Sequence, residues 1–327
     1  MPSIQLSSFS GTDDRARFAA ALSFMRQNPG TTLHVEPGVY TLSTPLSIKT
    51  QRDVMSGAYG ENPEPIMFRP DFAYDRGLDF AGIRDCTVQG DGATLLIDGF
   101  MEPISLRQCQ NITLRGLTID HVRKPYSRGR ILSYAPQGEN AVLEVAFPAA
   151  FPITPGMPMP RFCTYQADTR LFAEGFSLLH YEYIEEHTAR FTVSGADASF
   201  VGRELVLWHT YHSRPAIILY QADGLHLQDI TIHSQPGMGV VGQQASNIII
   251  ERLRVVPSLG EPLSTNTDAT HFASCRGKLT LDSCQFEGQG DDSINVHTYY
   301  YTVEQHQGAQ CRLSIQAPTG THAQALE

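Results

Sequence analysis

The sequence predicts an all-β fold: a right-handed parallel β-helix with an N-terminal capping helix and an inserted antiparallel β module. Three observations lead there. A short apolar pattern recurs along the chain, an amphipathic stretch precedes it, and a proline-rich segment of different texture interrupts it.

The recurring pattern is Leu114-Arg-Gly-Leu-Thr-Ile119, Leu227-Gln-Asp-Ile-Thr-Ile232, Ile250-Glu-Arg-Leu-Arg-Val255 and Leu281-Asp-Ser-Cys-Gln-Phe286. The second and third copies start 23 residues apart and the third and fourth 31 apart, the short-period self-similarity of a solenoid. A strand this short cannot bury its apolar side alone. Stacked on its neighbour at about 4.8 Å, it shares a continuous core. Helical repeats compete as an explanation, but these segments carry β-branched residues and never sustain a 3.6-residue period.

Near the start, Asp13-Asp-Arg-Ala-Arg-Phe18 opens an Ala-rich helix to about Gln27, with Thr12 or Asp13 as its cap. That helix would close the solenoid's first end. Thr31 to Tyr40 reads as strand, Pro-Gly turn and strand. Between Val122 and Pro215 fall Pro148, Pro152, Pro155, Pro158 and Pro160 among short alternating strands, read as an insert beside the ligand face. The organisation is therefore 1–121 for the cap and first coils, 122–215 for the insert, and 216–327 for the remaining coils. The last part reads as truncated, because no end cap follows.

A formal net charge of -10, with 24 Lys and Arg facing 34 Asp and Glu, argues against nucleic acid as a partner. No run of apolar residues reaches membrane-spanning length, and residues 1–10 lack a basic and apolar leader. The expectation is a soluble chain, cytoplasmic unless its N-terminus was trimmed. Cys86, Cys109, Cys163, Cys275, Cys284 and Cys311 show no C-x-x-C spacing, so buried thiols are expected rather than a zinc or redox site.

The turns after the last three repeats lead into further strands, at 237–242, 267–272 and 291–297. Asp291 follows Asp268 by 23 residues, about one coil, which places Asp268 beside Asp291 and Asp292 on adjacent rungs. Ile294 and Val296 alternate with Ser293, Asn295 and His297, so the apolar pair should point inward and the polar trio outward. Three carboxylates held together repel, which should leave one protonated beside ionised partners. Glycoside hydrolysis needs that division between acid and base, with the two roughly 6.5 to 9.5 Å apart in an inverting enzyme. His271, Asn295, His297 and Trp208 are candidate sugar contacts. Tyr299, Tyr300 and Tyr301 are candidates to line the pocket.

Gly11-Thr-Asp-Asp14, the repeats, the insert and Gly290-Asp-Asp-Ser-Ile-Asn-Val-His297 together resemble glycoside hydrolase family 110, the inverting exo-acting α-1,3-galactosidases. The resemblance covers nearly the whole chain and is most specific at Asn266-Thr-Asp268 and Asp291 to His297. It implies removal of terminal α-1,3-linked galactose from glycans, with no cofactor or metal, and Asp268, Asp291 and Asp292 as the acidic trio. By analogy with polygalacturonases, which share a similar trio on the same pectate-lyase-like solenoid, Asp291 would be the general acid and Asp268 with Asp292 the base. Members of the family usually run well beyond this length. A polygalacturonase is the nearest rival, but Gly-His-Gly and Arg-Ile-Lys are absent from the sequence. An acidic cluster on a β-helix would also suit a Ca²⁺-dependent polysaccharide lyase or a noncatalytic glycan-binding solenoid.

Overall fold

A computed structural model describes residues 2–69, 71–173, 176–299 and 301–315. The chain is mostly β, and two parallel sheets dominate it. One runs through Ser3–Gln5, Thr32–His34, Arg84–Asp98, Gln110–His121, Asp223–Gln228, Ser246–Glu251 and Arg276–Asp282. The other runs through Arg76–Asp79, Glu102–Arg107, Ile217–Tyr220, Val240–Gln243, Thr270–Ala273 and Ile294–His297. The chain alternates between the sheets, so each later coil adds one rung to both.

The repeats stack in register. Leu114, Leu227, Ile250 and Leu281 pair in succession, as do Ile119, Ile232, Val255 and Phe286. These columns belong to one continuous apolar core. Between the sheets the chain turns on single residues in the left-handed region: Gln108, Gln221, Gln244 and Ser274 all lie at φ of 48 to 53°. The glutamines tie the corner together, since Gln108 donates to Gln221 at 3.2 Å and Gln221 to Gln244 at 2.9 Å. Three residues further on, a second left-handed column includes Asn111, Gly224 and Asn247. Gly224 is required there twice over, because its φ is +68° and a Cβ would lie 2.4 Å from the Asn111 side-chain oxygen.

At the first end, helix Asp14–Gln27 is capped by Asp13, whose side chain accepts from the Ala16 N–H at 2.7 Å. Phe18, Ala21, Leu22 and Met25 face the coil core. A second helix, Pro45–Met55, was not foreseen. Thr44 caps it in a capping box with Ser47, and Pro45 opens its first turn. No described helix is long and apolar enough to cross a membrane.

Between Gln110–His121 and Ile217–Tyr220, a seven-stranded antiparallel sheet spans Tyr126–Gln137 to Glu204–Trp208 in sequence. It has its own apolar core around Leu143, Phe191 and Leu207. The coil resumes as if uninterrupted, with Ile217 pairing directly with Ile104.

Two expectations need correction. Ile294 and Val296 stand in register with Thr270 and Phe272, yet they are 49% and 62% exposed. Their direction follows the stack, but among the described residues no rung covers Ile294–His297 on its outer side. Of the cysteines, Cys86, Cys109 and Cys163 are buried, Cys275 and Cys284 are half-buried, and Cys311 is exposed. The segment 316–327, expected to lack an end cap, lies outside the described residues.

Because Leu227 is fully buried between Leu114 and Ile250, Leu227→Ala should cost about 2–5 kcal/mol of stability. Urea unfolding followed by circular dichroism reads this, and an unshifted midpoint would contradict a continuous core.

Candidate active site

The pairing of Thr270 with Ile294 and His271 with Asn295 sets the offset between these two coils at 24 residues. Asp268 therefore lies beside Asp292 rather than Asp291. The Ala269 N–H donates to the Asp292 carbonyl at 2.9 Å, and the Asp292 N–H donates to Asp268 Oδ1 at 3.3 Å. All three acids precede the strands instead of lying within them, in the turns that enter Thr270–Ala273 and Ile294–His297. One carboxylate oxygen from each of Asp268, Asp291 and Asp292 lies within 4.8 Å of those of the other two.

Gly290 permits this approach. Its N–H donates to the Thr265 carbonyl at 2.9 Å, and a Cβ at this position would sit 2.2 Å from the Asn266 carbonyl oxygen. The glycine before the Asp pair thus answers to backbone proximity between rungs.

The three carboxylates differ in their surroundings. Asp268 is only 4% exposed and lies 2.6 Å from His271 Nδ1. Asp291 is exposed and accepts a hydrogen bond from the Tyr211 hydroxyl. Asp292 is exposed and accepts from the Asn295 amide at 3.2 Å. Arg161, from the antiparallel sheet, donates to the Tyr211 oxygen at 2.8 Å and to the Gly290 carbonyl at 2.5 Å. Burial, reinforced by the hydrogen bond to Asp291, pushes the Tyr211 phenol up, so it stays protonated and remains a donor. Its contribution to folding is complete below about pH 10 and fades as pH rises from there through the raised folded value.

Of the candidate sugar contacts, His271, Asn295 and His297 gather at the acids. His271 Nε2 lies 2.8 Å from His297 Nε2, with the rings edge-on. Trp208 is corrected. It is 2% exposed and its indole N–H donates to the Asn266 carbonyl at 3.0 Å, while the Arg161 guanidinium lies 5.6 Å from its ring centre. It supports the turn under Gly290 and offers no face to a sugar. Tyr299 packs edge-on against His297 with ring centres 5.5 Å apart; Tyr301 is exposed, and Tyr300 lies outside the described residues.

The oxygens that approach within 4.8 Å of one another are one from each acid. Adjacent rungs lie about 4.8 Å apart, and that step sets the separation of Asp268 from Asp292. The same oxygens are close enough to share a cation, although exposed acidic groups often cluster without one. Sequence reasoning missed Tyr211 and Arg161. Neither belongs to a repeat; Tyr211 lies close to the end of the 122–215 segment and Arg161 near its middle, so no local pattern marked them.

Gly290→Ala should lower stability by about 1–3 kcal/mol through overpacking against the Asn266 backbone. An unchanged urea midpoint would contradict the close approach.

No protein-family model matches the chain. Among curated proteins it is similar to α-1,3-galactosidase A of Bacteroides fragilis, 27% identical over 68% of this chain and 39% of the relative. It is also similar to α-1,3-galactosidase A of Shewanella woodyi, 24% identical over 90% of this chain and 50% of the relative. The chain thus spans half or less of the length of these two relatives. Among solved structures, a family 28 exopolygalacturonase of Yersinia enterocolitica covers 90% of this chain and 45% of its own, at 13% identity and a TM-score of 0.41, too distant to carry an argument. The resemblance to the α-1,3-galactosidases of glycoside hydrolase family 110, read from the repeats and the acidic motifs, is supported by these curated relatives.

Proposed function

We propose that the chain is an exo-acting glycoside hydrolase that removes terminal α-1,3-linked galactose from a glycan. In this reading its coils form a right-handed parallel β-helix, and residues 122–215 are an inserted module that walls the site. The observation that carries the proposal is the meeting of Asp268, Asp291 and Asp292, with oxygens within 4.8 Å, in a chain similar to curated α-1,3-galactosidases. The absence of Gly-His-Gly and of Arg-Ile-Lys, the basic motif that would hold an anionic sugar, also favours a neutral sugar.

In the proposed reaction, protonated Asp291 gives its proton to the glycosidic oxygen as the bond from that oxygen to C1 breaks. Water attacks C1 and loses a proton to Asp268, with Asp292 beside it, which gives inversion. Asp291 is exposed at the mouth of the site and Asp268 is buried behind it, which suits an acid that meets the leaving group and a base held in one place. Tyr211 and Arg161 would orient the acid.

A second stereochemical route uses the same residues. In retaining enzymes one carboxylate attacks C1 directly and water then releases the sugar, and the closest oxygens of the three acids, within 4.8 Å of one another, are near enough for either role. The first anomer released distinguishes the two.

Proton NMR of α-1,3-galactobiose incubated with the full chain should show β-galactose first for inversion, and α-galactose first for retention. No galactose release, or cleavage confined to polygalacturonate, would defeat the proposal. Asp291→Asn should lower kcat by roughly 10²- to 10⁴-fold with an unchanged thermal midpoint. Full activity in that variant would remove Asp291 from the chemistry.

A further inference from the structure

Asp268 is the terminus of a chain of three side chains. Its Oδ2 lies 2.6 Å from His271 Nδ1, and His271 Nε2 lies 2.8 Å from His297 Nε2. The far nitrogen of His297 faces the Thr298 carbonyl at 3.4 Å. Rung register makes this possible. His297 pairs with Ala273, whose methyl leaves room for the His297 ring to lean diagonally toward His271. On either side of His271 in its column stand Val241 and Asn295, so Asp268 and His297 are the ionisable groups bonded to it.

Counting hydrogens shows that both nitrogens of His271 are engaged. An ionised carboxylate only accepts, so His271 Nδ1 carries a hydrogen and donates it to Asp268. Two ring nitrogens 2.8 Å apart have room for one hydrogen between them. Whichever ring supplies that hydrogen, His271 Nε2 is engaged by His297. Both nitrogens of His271 are then used within the protein, and the residue is 9% exposed. A sugar hydroxyl would have to break one of these bonds to reach it.

We infer that His271, backed by His297, is a positioning residue that holds the Asp268 carboxylate in the orientation of the water-activating base and makes no contact with the sugar. The inference rests on the hydrolase reading of the acidic trio. It replaces the expectation that His271 is a substrate ligand. The imidazole fixes Oδ2, so Oδ1, which accepts from the Asp292 N–H at 3.3 Å, stays turned toward the other acids. The same outer-sphere logic orients ligands and bases elsewhere, where removing the supporting group costs about 10- to 100-fold in activity.

The test is kinetic and spectroscopic, on the full chain with α-1,3-galactobiose. His271→Ala should lower kcat about 10- to 100-fold with KM little changed. His271→Asn places an amide donor near the former Nδ1 and should recover most of that loss. A raised KM in His271→Ala with kcat unchanged, or no rescue by asparagine, would mark His271 as a sugar ligand and overturn the inference. Independently, nitrogen-15 NMR of the histidine rings should show a hydrogen on His271 Nδ1 whose downfield proton signal disappears in Asp268→Ala. A His271 signal indifferent to Asp268→Ala would overturn the hydrogen-bond chain alone. A wild-type chain inactive on galactosides would overturn the hydrolase reading, and the base role with it, even with those spectra intact.

Discussion

In-register stacking of parallel strands is the constraint on which the other features depend. Each backbone rung satisfies its hydrogen bonds on the rungs above and below, about 4.8 Å away, so a residue's neighbours are the residues one coil earlier and later. Inside, this aligns Leu114, Leu227, Ile250 and Leu281 into one apolar column. At the corners it aligns the left-handed residues, where glutamine amides bond along the stack. Outside, it aligns whatever polar residues the sequence supplies. Asp268, Asp291 and Asp292 meet for the same reason the leucines do.

Stacking alone does not fix three mutually repelling carboxylates. Each has its own support. The coil supplies His271 to Asp268 and Asn295 to Asp292. From outside the repeats, Tyr211 supports Asp291, and Arg161 of the antiparallel sheet grips both Tyr211 and the Gly290 carbonyl. Trp208, at the end of the last strand of that sheet, bonds the Asn266 carbonyl on the neighbouring coil. The sheet is thus fastened to both turns that carry the acids, which links its packing to the geometry of the site.

What was legible in the sequence was what repeats or caps locally. The capped helix Asp14–Gln27, the four stacked segments and the proximity of Asp268 to Asp292 all follow from patterns within one or two coils. Long-range contacts left no such trace. Tyr211 and Arg161 are 50 residues apart in the chain and meet only because the antiparallel sheet folds back onto the coils. Trp208 gave no sign that its ring would be covered. The 24-residue offset, one more than the spacing of Asp268 and Asp291, decided which acid stands beside Asp268. Ile294 and Val296 point where alternation places them, but their burial depends on a covering rung that periodicity within one strand cannot report.

The central claim is that Asp268 and Asp292 act as one unit because register places them on adjacent rungs. A double-mutant cycle on kcat/KM for α-1,3-galactobiose tests it most directly, using Asp268→Asn, Asp292→Asn and the pair. In-register stacking predicts strong non-additivity, with the double variant about as slow as the slower single variant. Losses that simply multiply would mean the two carboxylates act independently, and would contradict the claim.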